Sequence, residues 1–242
     1  MNRARLRGEM FVSTFYKPNI IKLTNAELRR ITPNWVVYGV ARLHKLLNWP
    51  FRPIIGFRRS DALDFLEFDE MSRSARRALR DTIDECEDLG FRLEFCHALE
   101  NIGAAEAYSV VLLSPDAQIW AALLFTRVRI QAGEKTKRGC ALVSLRADDS
   151  AVSTTNLTRE FDSPPWVDVQ HLRGAGVGKL LATHRERLRA ESPRSLSSKE
   201  LIAAVLSLHQ RGADWNIARG VWMPMTPEEE QRVRARSLGD ED

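Results

Sequence analysis

The hydrophobic positions of this chain follow two different periods, and the change between them divides it into regions. As far as Gly90, apolar residues recur every three or four positions, the spacing of one helix face. From Phe91 the period becomes two, as in strands, and GEKTKRG is predicted as a charged turn between two of them. Short connections predict antiparallel neighbours, because parallel strands need long crossovers. Helical patterns return afterwards, so the order predicts an α+β fold in which N-terminal and C-terminal helices flank an antiparallel β-meander.

Capping residues and apolar stripes predict the individual helices. Thr24 and Glu27 form a capping box, and Ser60 is predicted to cap a short helix that carries Leu63 and Leu66. Two longer helices have stripes at helical spacing: Val36, Val40, Leu43 and Leu47 in the first, and Ala75, Leu79, Ile83, Cys86 and Leu89 in the second, which runs from Ser72 to Gly90. Further helices are predicted after the sheet, at about 176–191, 198–210 and 227–237.

The apolar connector NWPFRPIIGFRRS, with two prolines and a glycine, is the best candidate for a domain boundary. Three regions are therefore predicted: an N-terminal helical and irregular segment over 1–58, an α+β core domain over 59–223, and a C-terminal helix with a frayed acidic tail over 224–242.

The composition is that of an ordinary folded protein, with 44% apolar and 28% charged residues. A net charge of +4 is weak for 242 residues and gives no indication of specific nucleic-acid binding. Cys86, Cys96 and Cys140 lack metal-ligand spacing and are predicted to be reduced, buried thiols. No apolar run is long enough for a transmembrane segment, and no secretory signal is visible. We therefore expect a soluble, cytoplasmic protein.

No set of side chains in the sequence identifies a catalytic centre. The five histidines form no metal-ligand pattern, so no metal is expected, and no Gly-x-Ser-x-Gly elbow is present for a serine nucleophile. His184 lies on the apolar face of its helix and is predicted to be a hydrogen-bonded core histidine. Asp148 and Asp149 are predicted to belong to a hairpin turn. The sequence thus favours a binding or assembly domain of unassigned function, without a cofactor.

Two surfaces are candidates for that binding. Basic residues early in the third helix oppose its macrodipole, so their stripe is either a solvated face or the contact surface of a protein partner: Arg73, Arg76, Arg77 and Arg80. Basic and aromatic residues of the N-terminal segment are candidates for contact with an anionic surface, such as a membrane: Trp35, Arg42, Lys45, Trp49, Arg52, Arg58 and Arg59.

The segment RGAGVGKLL is the one stretch that suggests a phosphate-binding loop. Its spacing excludes a Walker loop and the dinucleotide fingerprint GxGxxG. The pattern R-x-x-G-x-G resembles the pyrophosphate-binding loop of the GNAT N-acetyltransferase superfamily. The resemblance implies, as an alternative function, an acyl-CoA-dependent N-acyltransferase with acetyl-CoA as its cofactor. The residues that would line the loop are Arg173, Gly174, Gly176, Gly178 and Lys179.

Overall fold

A computed structural model describes residues 15–49, 55–103, 105–130, 133–189 and 191–238. The helices within these ranges are α1 (Asn25–Ile31), α2 (Trp35–Leu46), α3 (Arg73–Asp88), α4 (Val177–Arg187), α5 (Ser198–Ala218) and α6 (Pro227–Leu238). The strands are β1 (Phe15–Pro18), β2 (Gly56–Arg58), β3 (Asp64–Leu66), β4 (Arg92–Ala98), β5 (Asn101–Ile102), β6 (Ala105–Leu113), β7 (Trp120–Ile130), β8 (Gly133–Leu145), β9 (Ala151–Thr155), β10 (Val167–His171) and β11 (Trp222–Pro224).

The main sheet has seven strands in the order β10-β9-β8-β7-β6-β4-β3. All neighbours are antiparallel except β9 and β10, which are parallel. The α+β fold and its antiparallel meander are thereby confirmed. The prediction of a charged turn at GEKTKRG was wrong, because residues 133–139 belong to β8 and pair with β7 as far as Gly133. This end of the hairpin is exposed, so it accommodates charged side chains while the backbone hydrogen bonds between β7 and β8 continue.

The sheet has helices on both faces. Helices α3 and α4 cover one face, where Leu79, Leu123 and Leu180 belong to the larger core cluster. Helix α5 covers the opposite face, where Val111 and Leu201 belong to a second cluster. Successive residues of a strand point to opposite faces, so β6 contributes alternately to both clusters. The fold is therefore a three-layer arrangement of helix, sheet and helix.

Helix α3 confirms most of its predicted stripe. Ala75, Leu79, Ile83 and Cys86 are buried in the core. Leu89 was wrongly included: it is the C-cap residue, the helix ends at Asp88, and its side chain is exposed. All three cysteines are free and buried, as predicted.

A second, four-stranded sheet joins distant parts of the chain in the order β11-β1-β2-β5, all antiparallel. The boundaries predicted at 58 and 223 both lie at strands of this sheet and stay a prediction. The short helix predicted after Ser60 was wrong, because residues 64–66 form β3 and pair with β4. Edge pairing supplies these residues with backbone hydrogen bonds that a local pattern does not reveal.

Candidate functional site

Helix α2 has strong local signals for helix formation. The side chain of its N-cap residue Asn34 accepts a hydrogen bond from the N–H of Val37 at 2.9 Å, which satisfies one of the free donors of the first turn. Lys45 lies in the last turn, where its positive charge interacts favourably with the helix dipole. The helix therefore forms where its apolar spacing predicted it.

The apolar face of α2 points away from the protein. No residue of this helix is buried, and the exposed fractions reach 76% for Val36, 74% for Leu46 and 70% for Trp35. At about 100° per residue, the outward side chains cover an arc of roughly 140°. The members of this arc, called the α2 outer face from here on, are Trp35, Val36, Gly39, Val40, Leu43, Leu46 and Leu47.

The opposite side of α2 attaches the helix to the protein. Tyr38 and Ala41 pack against a buried cluster that includes Leu28 and Val221. The ammonium group of Lys45 donates a hydrogen bond to the backbone carbonyl of Leu23. A helix whose apolar stripe faces solvent while its other side is anchored is unusual for a globular protein, where the stripe normally faces the core.

A buried ion pair fixes the segment that carries α2. The Glu27 side chain in α1 is fully buried and accepts hydrogen bonds from Nη2 of Arg219, at 2.9 Å to each carboxylate oxygen. It also accepts from the backbone N–H groups of Thr24 and Asp162. Burial raises the pKa of Glu27, but these hydrogen bonds outweigh that effect and hold its pKa below the ordinary value. Glu27 thus joins the N-terminal segment to the end of α5.

The stretch of sequence that carries the α2 outer face is rich in basic residues. Residues 28–60 contain no Asp or Glu, but they contain seven Arg or Lys residues. Over residues 1–60 there are twelve basic and two acidic residues, a net charge of +10, whereas the remaining 182 residues have 24 and 30, a net charge of −6. The overall charge of +4 conceals this asymmetry, which a comparison of the two parts of the sequence would have revealed.

Tryptophan residues lie at both ends of α2. The guanidinium of Arg29 lies 4.3 Å from the ring centroid of Trp35, a cation–π contact at the N-terminal end. Trp49, just beyond the C-terminal end, lies 5.3 Å from the ring of His44 and is 57% exposed. The α2 outer face is therefore bordered by large amphipathic rings.

The structure brings together only some of the residues predicted to contact an anionic surface. Trp35, Arg42, Lys45 and Trp49 lie on α2 or at its end. Two others are engaged elsewhere, since Arg58 pairs with Glu100 at 2.7 Å and Arg59 pairs with Asp61 and Asp214 at 2.6 Å. Arg52 lies outside the described residues.

Only some arginines of the α3 stripe are available to a partner, because others contact neighbouring side chains of the protein. Arg76 lies 3.4 Å from Asp69, and Arg80 lies over the ring of Phe68. Arg73 and Arg77 are exposed and line an open depression together with Ser72, Ser74 and Arg127. A protein partner for this stripe stays a prediction.

The glycine-rich segment forms the entry to α4. Gly176 is the N-cap residue, and Val177, Leu181 and His184 are buried beneath the helix. The side chain of Glu85 in α3 points at this helix start, and its Oε1 accepts a hydrogen bond from the N–H of Gly178 at 3.1 Å. A carboxylate of the protein therefore lies where the helix dipole favours an anion. Arg173, Gly174 and Lys179 are exposed around it.

Acetyl-CoA binding at this segment stays a prediction, and Glu85 provides its test. If the segment holds a diphosphate, the Glu85→Gln variant should bind acetyl-CoA more tightly than the unmodified protein, because the competing carboxylate is removed. We expect no rise in melting temperature for either protein with millimolar acetyl-CoA, since a ligand stabilises only by binding the native state. A rise that Glu85→Gln increases and Gly176→Val abolishes would support the transferase alternative instead.

His184 is a core histidine, as predicted. Its Nε2 lies 3.0 Å from Oγ of Ser144, and its Nδ1 lies 3.0 Å from Oγ1 of Thr154. Burial and the nearby charge of Arg187 lower the pKa of His184 to about 4, so the ring is neutral at pH 7. Although serine and histidine are adjacent, both side chains are inaccessible to solvent, so this pair has no route to a substrate.

Within the described ranges no group of three or more His, Cys, Asp or Glu residues is placed to hold a metal ion, and no helix is long and apolar enough to cross a membrane. Comparisons of the chain with protein-family models, with curated proteins and with solved structures found no match. Among the described residues, the α2 outer face is the most extended exposed apolar surface.

Proposed function

We propose that this protein is a peripheral binding protein that docks on an anionic bilayer surface through the α2 outer face. The observation that carries the proposal is the combination of an exposed apolar arc on α2 with the absence of acidic residues from 28 to 60. Interfacial helices combine apolar and aromatic residues on one side with basic residues around them, and they lie in the plane of the membrane. Exposed apolar surface of this kind commonly marks an interaction site.

The charge distribution favours anionic lipid over a second copy of the chain as the occupant. Two copies in contact through α2 would bring together two strongly basic segments, and their repulsion would oppose association. Anionic headgroups would neutralise the basic side chains at the edge of the α2 outer face, each basic side chain near the surface contributing about 1 kcal/mol. Arg42 lies beside Trp35 and Leu46 around the helix, at the edge of the α2 outer face, where headgroups would be within reach.

Vesicle binding tests the proposal. The protein should bind vesicles of phosphatidylserine and phosphatidylcholine, and binding should weaken as salt is increased. Leu43→Ser should lower the affinity by roughly ten- to a hundredfold, because burial of a leucine side chain contributes on the order of 1.5–3 kcal/mol. Arg42→Gln should lower it about fivefold, corresponding to the loss of about 1 kcal/mol. Co-sedimentation or tryptophan fluorescence measures both.

Matched variants separate this effect from general changes of the surface. Leu93→Ser removes an exposed leucine on β4, and Arg185→Gln removes an exposed arginine on α4. Neither should change vesicle affinity. The proposal is wrong if the protein does not bind anionic vesicles. It is also wrong if the α2 outer face mediates dimerisation, in which case Leu43→Ser would abolish a concentration-dependent dimer.

A further inference from the structure

An apolar cavity lies beneath α2, on the side opposite its outer face. Its volume is about 280 Å³, and it lies between α1, α2 and strands β1 and β2. The walls include Ile20, Leu28, Ile31, Ala41 and Phe57. An enclosed, engineered apolar cavity of roughly 150 Å³ in another protein binds benzene, and the space beneath α2 is nearly twice as large and partly open to solvent.

Among the described residues, the cavity walls provide no free hydrogen-bonding side chain. Thr32 has the one polar side chain among the described lining residues, and its hydroxyl donates to the carbonyl oxygens of Leu28 and Arg29, at 3.0 and 3.2 Å. A polar ligand would therefore lose its hydrogen bonds to water without replacement. An apolar group would gain dispersion contacts with walls that now lack a partner. The apolar lining of the cavity therefore favours a hydrocarbon chain as its ligand.

The cavity lies next to the α2 outer face. Val37 lines the cavity and is also 41% exposed, so it lies between the interior of the cavity and the surface of α2. Pro33, which also lines the cavity, is exposed at the start of the helix. A chain that approaches along the docking surface would thus meet the cavity at Val37 and Pro33.

We propose that this cavity binds a single aliphatic chain, such as the acyl chain of a lipid or fatty acid. Entry of that chain from a bilayer rests on the proposed docking function, whereas binding of a dissolved chain does not. Both features belong to the same segment of the protein and use its two opposite sides. The α2 outer face would hold the protein at the bilayer surface, and the cavity would bind one hydrocarbon chain from that bilayer.

A series of n-alkanols from butanol to decanol tests the proposal without vesicles. Affinity should rise about fourfold for each added methylene, the equivalent of about 0.8 kcal/mol, until the cavity is filled. Decanoate should bind as well as decanol, because the headgroup stays outside. Titration calorimetry and thermal stabilisation measure both. An affinity that does not depend on chain length, or binding of decanoate without decanol, would overturn the proposal.

A variant that fills the cavity provides the second measurement. Ala41→Leu adds apolar volume at the wall and should lower decanol affinity at least tenfold, while Ala182→Leu, at an exposed position of α4, should not change it. Leu43→Ser should leave decanol binding intact and weaken only vesicle binding. Ala41→Leu with unchanged decanol affinity would place the chain elsewhere and refute the site. The alkanol series uses the unmodified protein, so it still tests the binding of an aliphatic chain if Ala41→Leu does not fold.

Discussion

Replacing Glu27 by alanine should lower the free energy of unfolding by about 3–5 kcal/mol, the usual cost of removing one partner of a buried ion pair. The loss is large because the Arg219 guanidinium and two backbone N–H groups would all lose their acceptor. The Arg219 side chain is 21% exposed and lies 3.9 Å from Asp162, which places the expected value toward the lower end of this range. Chemical denaturation measures the change.

Another capping box of the described residues provides the control. Glu200 forms the same box with Ser197 at the start of α5, but it is exposed and has no arginine partner among its hydrogen bonds. Glu200→Ala should therefore cause a clearly smaller loss than Glu27→Ala. Equal losses would mean that the capping box, and not the buried ion pair, accounts for the effect.

The same carboxylate should contribute to sensitivity toward acid. The pKa of Glu27 is lowered in the folded protein, so the unfolded chain binds the proton more tightly. Its stabilising contribution is fully present above the ordinary pKa of 4.5 and is lost as the pH falls through the folded value.

Lowering the pH from about 6.5 to about 4 should reduce stability through His184 by about 3 kcal/mol. The pKa of this histidine falls from 6.5 to about 4 on folding, because the ring is buried and lies near Arg187. Within this window the unfolded chain binds a proton that the folded protein excludes, so stability is greatest above pH 6.5 and declines as the pH falls. Denaturation at several pH values measures the slope.

His184→Gln should reduce the slope of stability in that window, because glutamine does not titrate there. It should not remove the slope, since burial also lowers the pKa of His97 in the folded protein. His171→Gln is the matched control: His171 is half-buried and contacts only the carbonyl of Leu157 among the described hydrogen bonds. That variant should retain the slope, since His184 is unchanged. An unaltered pH profile in His184→Gln would show that other groups produce the acid loss.

The sequence by itself determined the parts of this protein that depend on local chemistry. The stripe of α3, the capping box at Thr24, the alternation of the meander and the buried position of His184 all follow from the spacing of apolar residues and from hydrogen bonds between near neighbours. These signals are local, and they do not depend on what the element packs against. The α+β fold was predictable for the same reason.

Only the tertiary structure decided which face of α2 is covered. The spacing of Val36, Val40, Leu43 and Leu47 predicts a helix with an apolar side, but whether that side meets a core depends on surfaces that other segments provide. The surface beneath α2 accommodates Tyr38 and Ala41 instead.

Pairing between distant segments was equally beyond the local pattern. Glu27 and Arg219 meet across 192 positions, and Glu85 reaches Gly178 across 93. The sequence around a carboxylate does not indicate which hydrogen-bond donor it pairs with. Its partner is set by the packing of α1 against the end of α5 and of α3 against α4, and therefore by the fold as a whole.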